Sequence, residues 1–137
     1  MKIHSNNQVD IALLILRVGV GFMFILHGYP KIMGGMEKWA GLGSYGMGSI
    51  GIHIFPAFWG FMAAFSEFVG GIMILLGLYI RYFSILLFIT MLVAVCSHIA
   101  GGDGIMGASH ALESAIVFLC LFFSGAGNYS ISVDGNK

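Results

Sequence analysis

The chain contains four long runs of apolar residues, which are separated by polar or glycine-rich segments. A bilayer span needs about 20 mostly apolar residues to cross roughly 30 Å of hydrocarbon. In that medium, a single segment can form all of its own backbone hydrogen bonds only as a helix. We therefore predict an all-α fold in which one domain, residues 1–137, forms a four-helix transmembrane bundle with a long first extramembrane loop. The predicted spans are residues 11–29, 58–78, 82–99 and 109–124.

Composition indicates that lipid is the natural solvent of this chain. Of its 137 residues, 58% are hydrophobic and 9% are charged, and the mean hydropathy is +0.95. A soluble domain of this size leaves much of its surface in water and could not hide so much apolar area. Six basic residues balance six acidic ones. Net charge therefore gives no basis for expecting nucleic acid as a partner.

Seven ionisable side chains lie in or at the edges of the apolar runs, where charge is costly. An ionised group at the centre of a bilayer costs roughly 3 kcal/mol or more, so such residues usually face the bundle interior or a water-filled cavity. Their placement is the main indication of function. The seven are Arg17, His27, Lys31, Glu67, His98, His110 and Glu113.

Arg17 in the first span and Glu67 in the second are predicted to form an ion pair. Helical spacing places Arg17 on one face with Gly21 and Gly28, and it places Glu67 on a stripe of small residues. Pairing is the least costly way to hold both charges in lipid. The sequence leaves open whether such a pair fixes the register of the bundle or takes part in catalysis.

The remaining polar residues are predicted to gather at one depth, in the outer third of the bundle. His27, His98, His110 and Glu113 fall there, and Lys31 lies just above them. A single histidine could be a satisfied interfacial residue, but the whole group favours a shallow, outward-facing pocket. In it, we expect Glu113, His98 and His110 to act in proton transfer, and His27, His98, His110 and Lys31 to bind the ligand. No metal site is predicted.

The segment between the first two spans, residues 33–57, is too long for a plain hairpin. It is rich in glycine and carries Trp39, Tyr45 and His53. Amphipathic aromatic residues favour the headgroup region, so we expect part of this segment to lie on the outer membrane surface as a lid. The alternative is a loose connector.

Positive charges in the short loops favour one orientation. Lys2, Arg81 and Lys137 lie on one side of the predicted bundle, and Lys31 and Lys38 lie on the other. Loops rich in Lys and Arg stay in the cytoplasm, so both termini are predicted to be cytoplasmic.

Several short pieces of sequence, in order along nearly the whole chain, carry a family resemblance. They are Leu16-Arg17 leading to Gly21, Phe24, His27-Gly28 and Lys31, then Glu67-Phe68-Val69-Gly70-Gly71, then Leu75-Leu76-Gly77-Leu78 with Arg81, and finally residues 127–134. Together they resemble the DoxX family of small four-span bacterial membrane proteins. Many members of that family begin the last span with a Glu-Tyr-Pro-like sequence, whereas this chain has His110-Ala111-Leu112-Glu113.

The resemblance implies a bacterial inner-membrane protein associated with quinone-linked oxidation of sulfur compounds. Family members include a subunit of thiosulfate:quinone oxidoreductase, and others partner with superoxide dismutase and a sulfurtransferase in thiol-stress complexes. On this basis the first hypothesis is an oxidoreductase subunit whose outer pocket holds a quinone headgroup. Lys31 would attract an anionic sulfur substrate, and electrons would arrive directly or through a soluble redox enzyme.

Two other hypotheses rank below it. One is a non-catalytic scaffold or assembly protein that docks a soluble enzyme. In that role, or as an oxidoreductase subunit, the chain could form a homo-oligomer. The other is a haem or metal site built from His27, His98, His110 and Glu113. Haem would need two histidines facing each other across the bundle. The His-x-x-Glu order also reverses the Glu-x-x-His order of di-iron bundles.

Overall fold

The computed structural model describes residues 7–131, and the regular structure in this range is entirely helical. This confirms the predicted all-α fold. The helices, in chain order, are α1 (Asn7–Ile32), α2 (Gly35–Ser49), α3 (Pro56–Leu76), α4 (Ile80–Ala100), α5 (Gly104–Gly107) and α6 (Ser109–Ser124).

Three of these helices, α1, α3 and α4, are long and apolar enough to cross a membrane. The fourth predicted span, α6, is an apolar helix of 16 residues. At 1.5 Å per residue it is about 24 Å long, which is shorter than the roughly 30 Å of a hydrocarbon core. All four predicted spans are therefore helices, but α6 is shorter than the other three.

Glycines set the contact between α1 and α3, which run antiparallel. A Cβ atom at Gly28 would collide with the backbone of Glu67 and Phe68, and one at Gly21 would lie 2.7 Å from the carbonyl oxygen of Gly71. The two backbones approach so closely because these positions carry no side chain, as is common between membrane helices. This contact fixes which residues of α1 lie beside which residues of α3.

An apolar core joins α1 and α3 to α4 and α6. Phe24 of α1 meets Phe118 of α6 edge to face, with ring centroids 4.8 Å apart. Leu87 of α4 and Ile74 of α3 are fully buried in the same cluster. α4 packs against both α3 and α6, but no Cα atom of α1 lies within 8 Å of one in α6. The backbones of α1 and α6 are therefore apart, and side chains such as Phe24 and Phe118 bridge them.

Most of the predicted lid forms α2, which packs against α3 and α4. The backbone of Trp39 touches Gly60, and the backbone of Pro56 touches Gly43. The indole nitrogen of Trp39 donates a hydrogen bond of 2.9 Å to the carbonyl oxygen of Lys31. The alternative of a loose connector is thus wrong, while the position of α2 relative to the membrane surface stays a prediction.

Residues after α6 return to α1. Asp10 accepts hydrogen bonds from the backbone nitrogen and side-chain amide of Asn128, at 3.0 and 2.8 Å. The backbone nitrogen of Ile131 donates to the carbonyl oxygen of Leu76 at the end of α3. The remainder of the tail in the family resemblance, residues 132–134, lies outside the described residues. The described part of the tail ties α1 to α3.

We expect Gly28→Ala to lower the free energy of unfolding by about 1 to 3 kcal/mol, the usual effect of overpacking. The added methyl group has no room, so α1 must move away from α3. Gly19→Ala is the matched control, since an added Cβ there meets no atom within 4 Å. It should stabilise by up to about 1 kcal/mol through helix propensity. Unfolding in detergent micelles measures both, and equal stability of the two variants would contradict the close contact.

Candidate functional site

Glu67 pairs with Lys31, not with Arg17. The ammonium nitrogen of Lys31 lies 2.8 and 2.6 Å from the two carboxylate oxygens of Glu67. The glycine contact explains the pairing, because Gly28 lies against Phe68 and Lys31 follows Gly28 by almost one helical turn. The side chain of Glu67 is 7% exposed and that of Lys31 is 29% exposed. Both residues line one cavity.

Arg17 lies elsewhere in the bundle, and the predicted Arg17–Glu67 ion pair is wrong. Its guanidinium is next to Gly77, which follows the last residue of α3 and lies ten residues after Glu67, or about 15 Å away at helical rise. It is fully buried and donates a hydrogen bond of 2.5 Å to the carbonyl oxygen of Tyr129. Arg17 thus holds the tail segment after α6. Its Nε and Nη1 atoms have no hydrogen-bond partner in the described part of the chain.

Five of the seven ionisable side chains line one cavity, which we call the polar pocket. It has a volume of about 130 Å³ and lies between α1, α3, α4 and α6. Apolar walls come from Phe24, Met91, Ala94 and Ala111. The ionisable lining residues are His27, Lys31, Glu67, His98 and His110. The structure therefore brings together the three histidines and the lysine of the predicted pocket, and it adds Glu67.

Two of the histidines are in direct contact. The rings of His27 and His110 stack with centroids 5.5 Å apart and planes 29° from parallel. The Nδ1 atom of His27 lies 2.8 Å from the carbonyl oxygen of Met23. A carbonyl oxygen only accepts, so Nδ1 must carry the hydrogen. In a neutral His27 ring, Nε2 is then free to accept a proton.

His98 is held by Asp103, a residue that the sequence indicated only as part of a turn. Its Nδ1 atom lies 2.7 Å from a carboxylate oxygen of Asp103, and Tyr45 packs edge-on against the ring. A carboxylate only accepts hydrogen bonds, so it fixes the hydrogen on Nδ1. The signal in the sequence was an acidic residue five positions after a histidine, with Gly101-Gly102 reversing the chain between them.

Glu113 does not line the polar pocket, contrary to the prediction. It faces a second cavity of about 270 Å³, which we call the α1–α6 cleft because residues of these two helices form its walls. Glu113 is exposed, and within residues 7–131 its side chain makes no hydrogen bond or ion pair. It follows His110 by three residues and so lies about 4.5 Å further along α6. Only Phe24 and His110 line both cavities.

Two features of the described histidines bear on the haem and metal hypotheses. Among residues 7–131, no three His, Cys, Asp or Glu side chains are placed to hold one metal ion. The rings of His27 and His110 stack against each other with centroids 5.5 Å apart. Axial ligands of a haem would instead have to lie on opposite sides of the macrocycle.

A double-mutant cycle tests the Lys31–Glu67 pair. Glu67→Gln leaves the Lys31 ammonium without a counter-charge and should lower the free energy of unfolding by about 1 to 3 kcal/mol. This is less than the roughly 3 to 5 kcal/mol for a fully buried pair, because Lys31 is partly exposed. Adding Lys31→Met should recover part of the loss.

The matched control is the pair Arg17→Gln and Glu67→Gln, whose effects should add within about 0.5 kcal/mol because the residues do not touch. Additive losses for Lys31 and Glu67, together with coupling between Arg17 and Glu67, would overturn the observed pairing.

Comparison with known proteins places these residues in a family. The DoxX family model matches residues 12–100. An uncharacterized protein of Haemophilus influenzae is 33% identical over 121 residues, which cover 84% of each chain. A Bacillus subtilis protein named "Putative oxidoreductase CatD" is 34% identical over 90 residues, which cover 66% of this chain and 61% of that protein. No solved structure matches the chain significantly.

The range that the family model matches contains most of the residues that line the polar pocket, but it does not include α6. It includes His27, Lys31, Glu67 and His98, whereas His110 lies beyond it on α6. The family match thus rests on the part of the chain that forms the Lys31–Glu67 pair and the glycine contact. With the family model covering more than half of its length, the chain belongs to the DoxX family of membrane proteins.

Proposed function

We propose that this protein is the membrane subunit of a quinone-linked oxidoreductase system and that its polar pocket binds the quinone headgroup. The observation that carries the proposal is the convergence of one ion pair and three histidines on a single cavity between apolar helices. Membership of the DoxX family and the similarity to a relative named as an oxidoreductase support a role beside redox chemistry in the membrane.

The donor set and the size of the pocket suit a single polar ring. The pocket volume of about 130 Å³ is close to that of a cavity of roughly 150 Å³ that holds benzene. Carbonyl oxygens on such a ring need hydrogen-bond donors, which the Lys31 ammonium and a protonated imidazole supply. When bound, a quinone would accept two electrons and two protons.

Each polar residue has a role in this scheme. Lys31 donates to a carbonyl oxygen of the ring, and Glu67 holds the ammonium in place and balances its charge. His98, oriented by Asp103, delivers a proton and can carry positive charge while doing so. His27 and His110 pass protons between the pocket and the cleft, where Glu113 exchanges them with His110.

The electrons come from a sulfur compound or thiol. Oxidation of two thiols to a disulfide releases two electrons and two protons, which balances the reduction of one quinone to a quinol. A soluble redox enzyme docked on the membrane subunit, or direct contact with the substrate, delivers the electrons. A non-catalytic assembly role for this chain is the competing outcome.

Binding of a short-tailed quinone tests the proposal. Trp39 donates to the backbone of Lys31 and is therefore a nearby fluorophore whose quenching reports binding. His98→Ala should weaken binding about 10- to 150-fold, since a hydrogen bond to a charged group contributes about 1.5 to 3 kcal/mol. His53→Ala is the matched control, because His53 lies in the segment between α2 and α3 and does not line the pocket.

Extraction of bound quinone from the purified protein, together with its absorption spectrum, decides between the hypotheses. Quinone recovered from the wild type but reduced in His98→Ala supports the proposal. Absence of quinone, together with a haem absorption band, would favour the haem site. Absence of both would favour the assembly protein, and equal binding by His98→Ala and His53→Ala would remove His98 from the site.

The proposed setting is a bacterial cytoplasmic membrane with both termini in the cytoplasm. Arg81 lies in the first turn of α4, while Lys2 and Lys137 lie outside the described residues. A reporter that is active only in the cytoplasm should work when fused after Lys137 and fail when inserted at Gly51, between α2 and α3. The reverse result would place the polar pocket nearer the cytoplasmic face.

A further inference from the structure

The α1–α6 cleft is a gap in the wall of the bundle. The backbones of α1 and α6 stay more than 8 Å apart along their whole lengths, and the space between them has a volume of about 270 Å³. Gly19 contributes to its size, because an added Cβ atom there would meet nothing within 4 Å. The helix faces beside the cleft are exposed and apolar, including Phe22 on α1 and Ile116 on α6. Such faces belong against lipid.

The cleft adjoins the polar pocket. Phe24 and His110 line both cavities. Phe24 is buried against Phe118, so it forms a fixed apolar wall. His110 stacks on His27, which faces the pocket. A molecule occupying both cavities would therefore cross the boundary that Phe24 and His110 form.

Polarity falls along the cleft with distance from the pocket. On α6 the lining changes from His110, through Glu113 and Ser114, to Val117. On α1, which runs in the opposite direction, the lining is apolar throughout and consists of Gly19, Val20, Met23 and Phe24. A polar chamber that leads to an increasingly apolar channel matches an amphiphile with a ring at one end and a hydrocarbon tail at the other.

We infer that the α1–α6 cleft binds the isoprenoid tail of the quinone whose headgroup occupies the polar pocket. This inference rests on the proposed function and adds the route by which the ligand arrives, sideways from the lipid between α1 and α6. The combined space falls within the range of about 300 to 1,000 Å³ that is typical of small-molecule sites. The polar pocket alone is smaller than that range.

Filling the cleft separates the tail site from the headgroup site. Gly19→Leu adds an apolar side chain in open space, so it should fold normally while occupying the path of the tail. Gly41→Leu is the matched control, since Gly41 is also an exposed helical glycine with no atom within 4 Å of an added Cβ, but it lies on α2. Both variants are placed in lipid nanodiscs with the wild type.

Two quinones with the same ring, one without a tail and one with a long isoprenoid tail, are titrated against each protein. We expect Gly19→Leu to weaken binding of the long-tailed quinone at least tenfold and to leave that of the tailless quinone within twofold. Gly41→Leu should match the wild type for both. The partitioning of each quinone into lipid does not affect the comparison, because its binding is compared between proteins in nanodiscs of the same composition.

Each other outcome overturns the inference in a distinct way. Unchanged binding of both quinones to Gly19→Leu would mean that the tail does not use the cleft, and the proposed function would stand. Equal weakening of both would mean that the cleft supports the headgroup instead. Loss of co-purified phospholipid from Gly19→Leu with no change for the long-tailed quinone would identify a lipid site. Failure of the wild type to bind either quinone would refute the proposed function itself.

Discussion

The close contact of α1 with α3 at glycines is the constraint on which the rest of the structure depends. With Gly28 against the backbone of Glu67 and Phe68, the last turn of α1 lies beside the middle of α3. Lys31 then reaches Glu67, and the buried carboxylate has a counter-ion. Because neither helix can slide without a steric collision, the charge pair, the polar pocket and the burial of Arg17 all follow from one helix register.

The sequence was sufficient to predict the spans and the neighbourhood of the pocket. Runs of about 20 apolar residues permit few structures other than helices in lipid. The depth of each histidine along its helix then followed from counting residues, and His27, His98 and His110 do line one cavity. The helical character of α2 was not evident, because its many glycines are poor helix formers and its packing against α3 determines its structure.

What the sequence did not determine was which charges meet. Helical periodicity assigns Arg17 and Lys31 to the same face of α1, but it does not give the register of that face against α3. The correct partner of Glu67 depends on which glycines touch, and this is a tertiary property. The role of Asp103 was missed for a similar reason, since a turn between α4 and α6 brings its carboxylate back to His98.

The hydrogen bond from Arg17 to Tyr129 joins residues that are 112 positions apart. A ribosome makes the chain from its N-terminus, so α1 is complete long before residue 129 exists. Until then the guanidinium of Arg17 lacks the acceptor that it has in the finished bundle, and Asp10 likewise lacks Asn128. The order of synthesis thus separates insertion of the first helix from closure of this end of the bundle, which waits for the segment that follows α6.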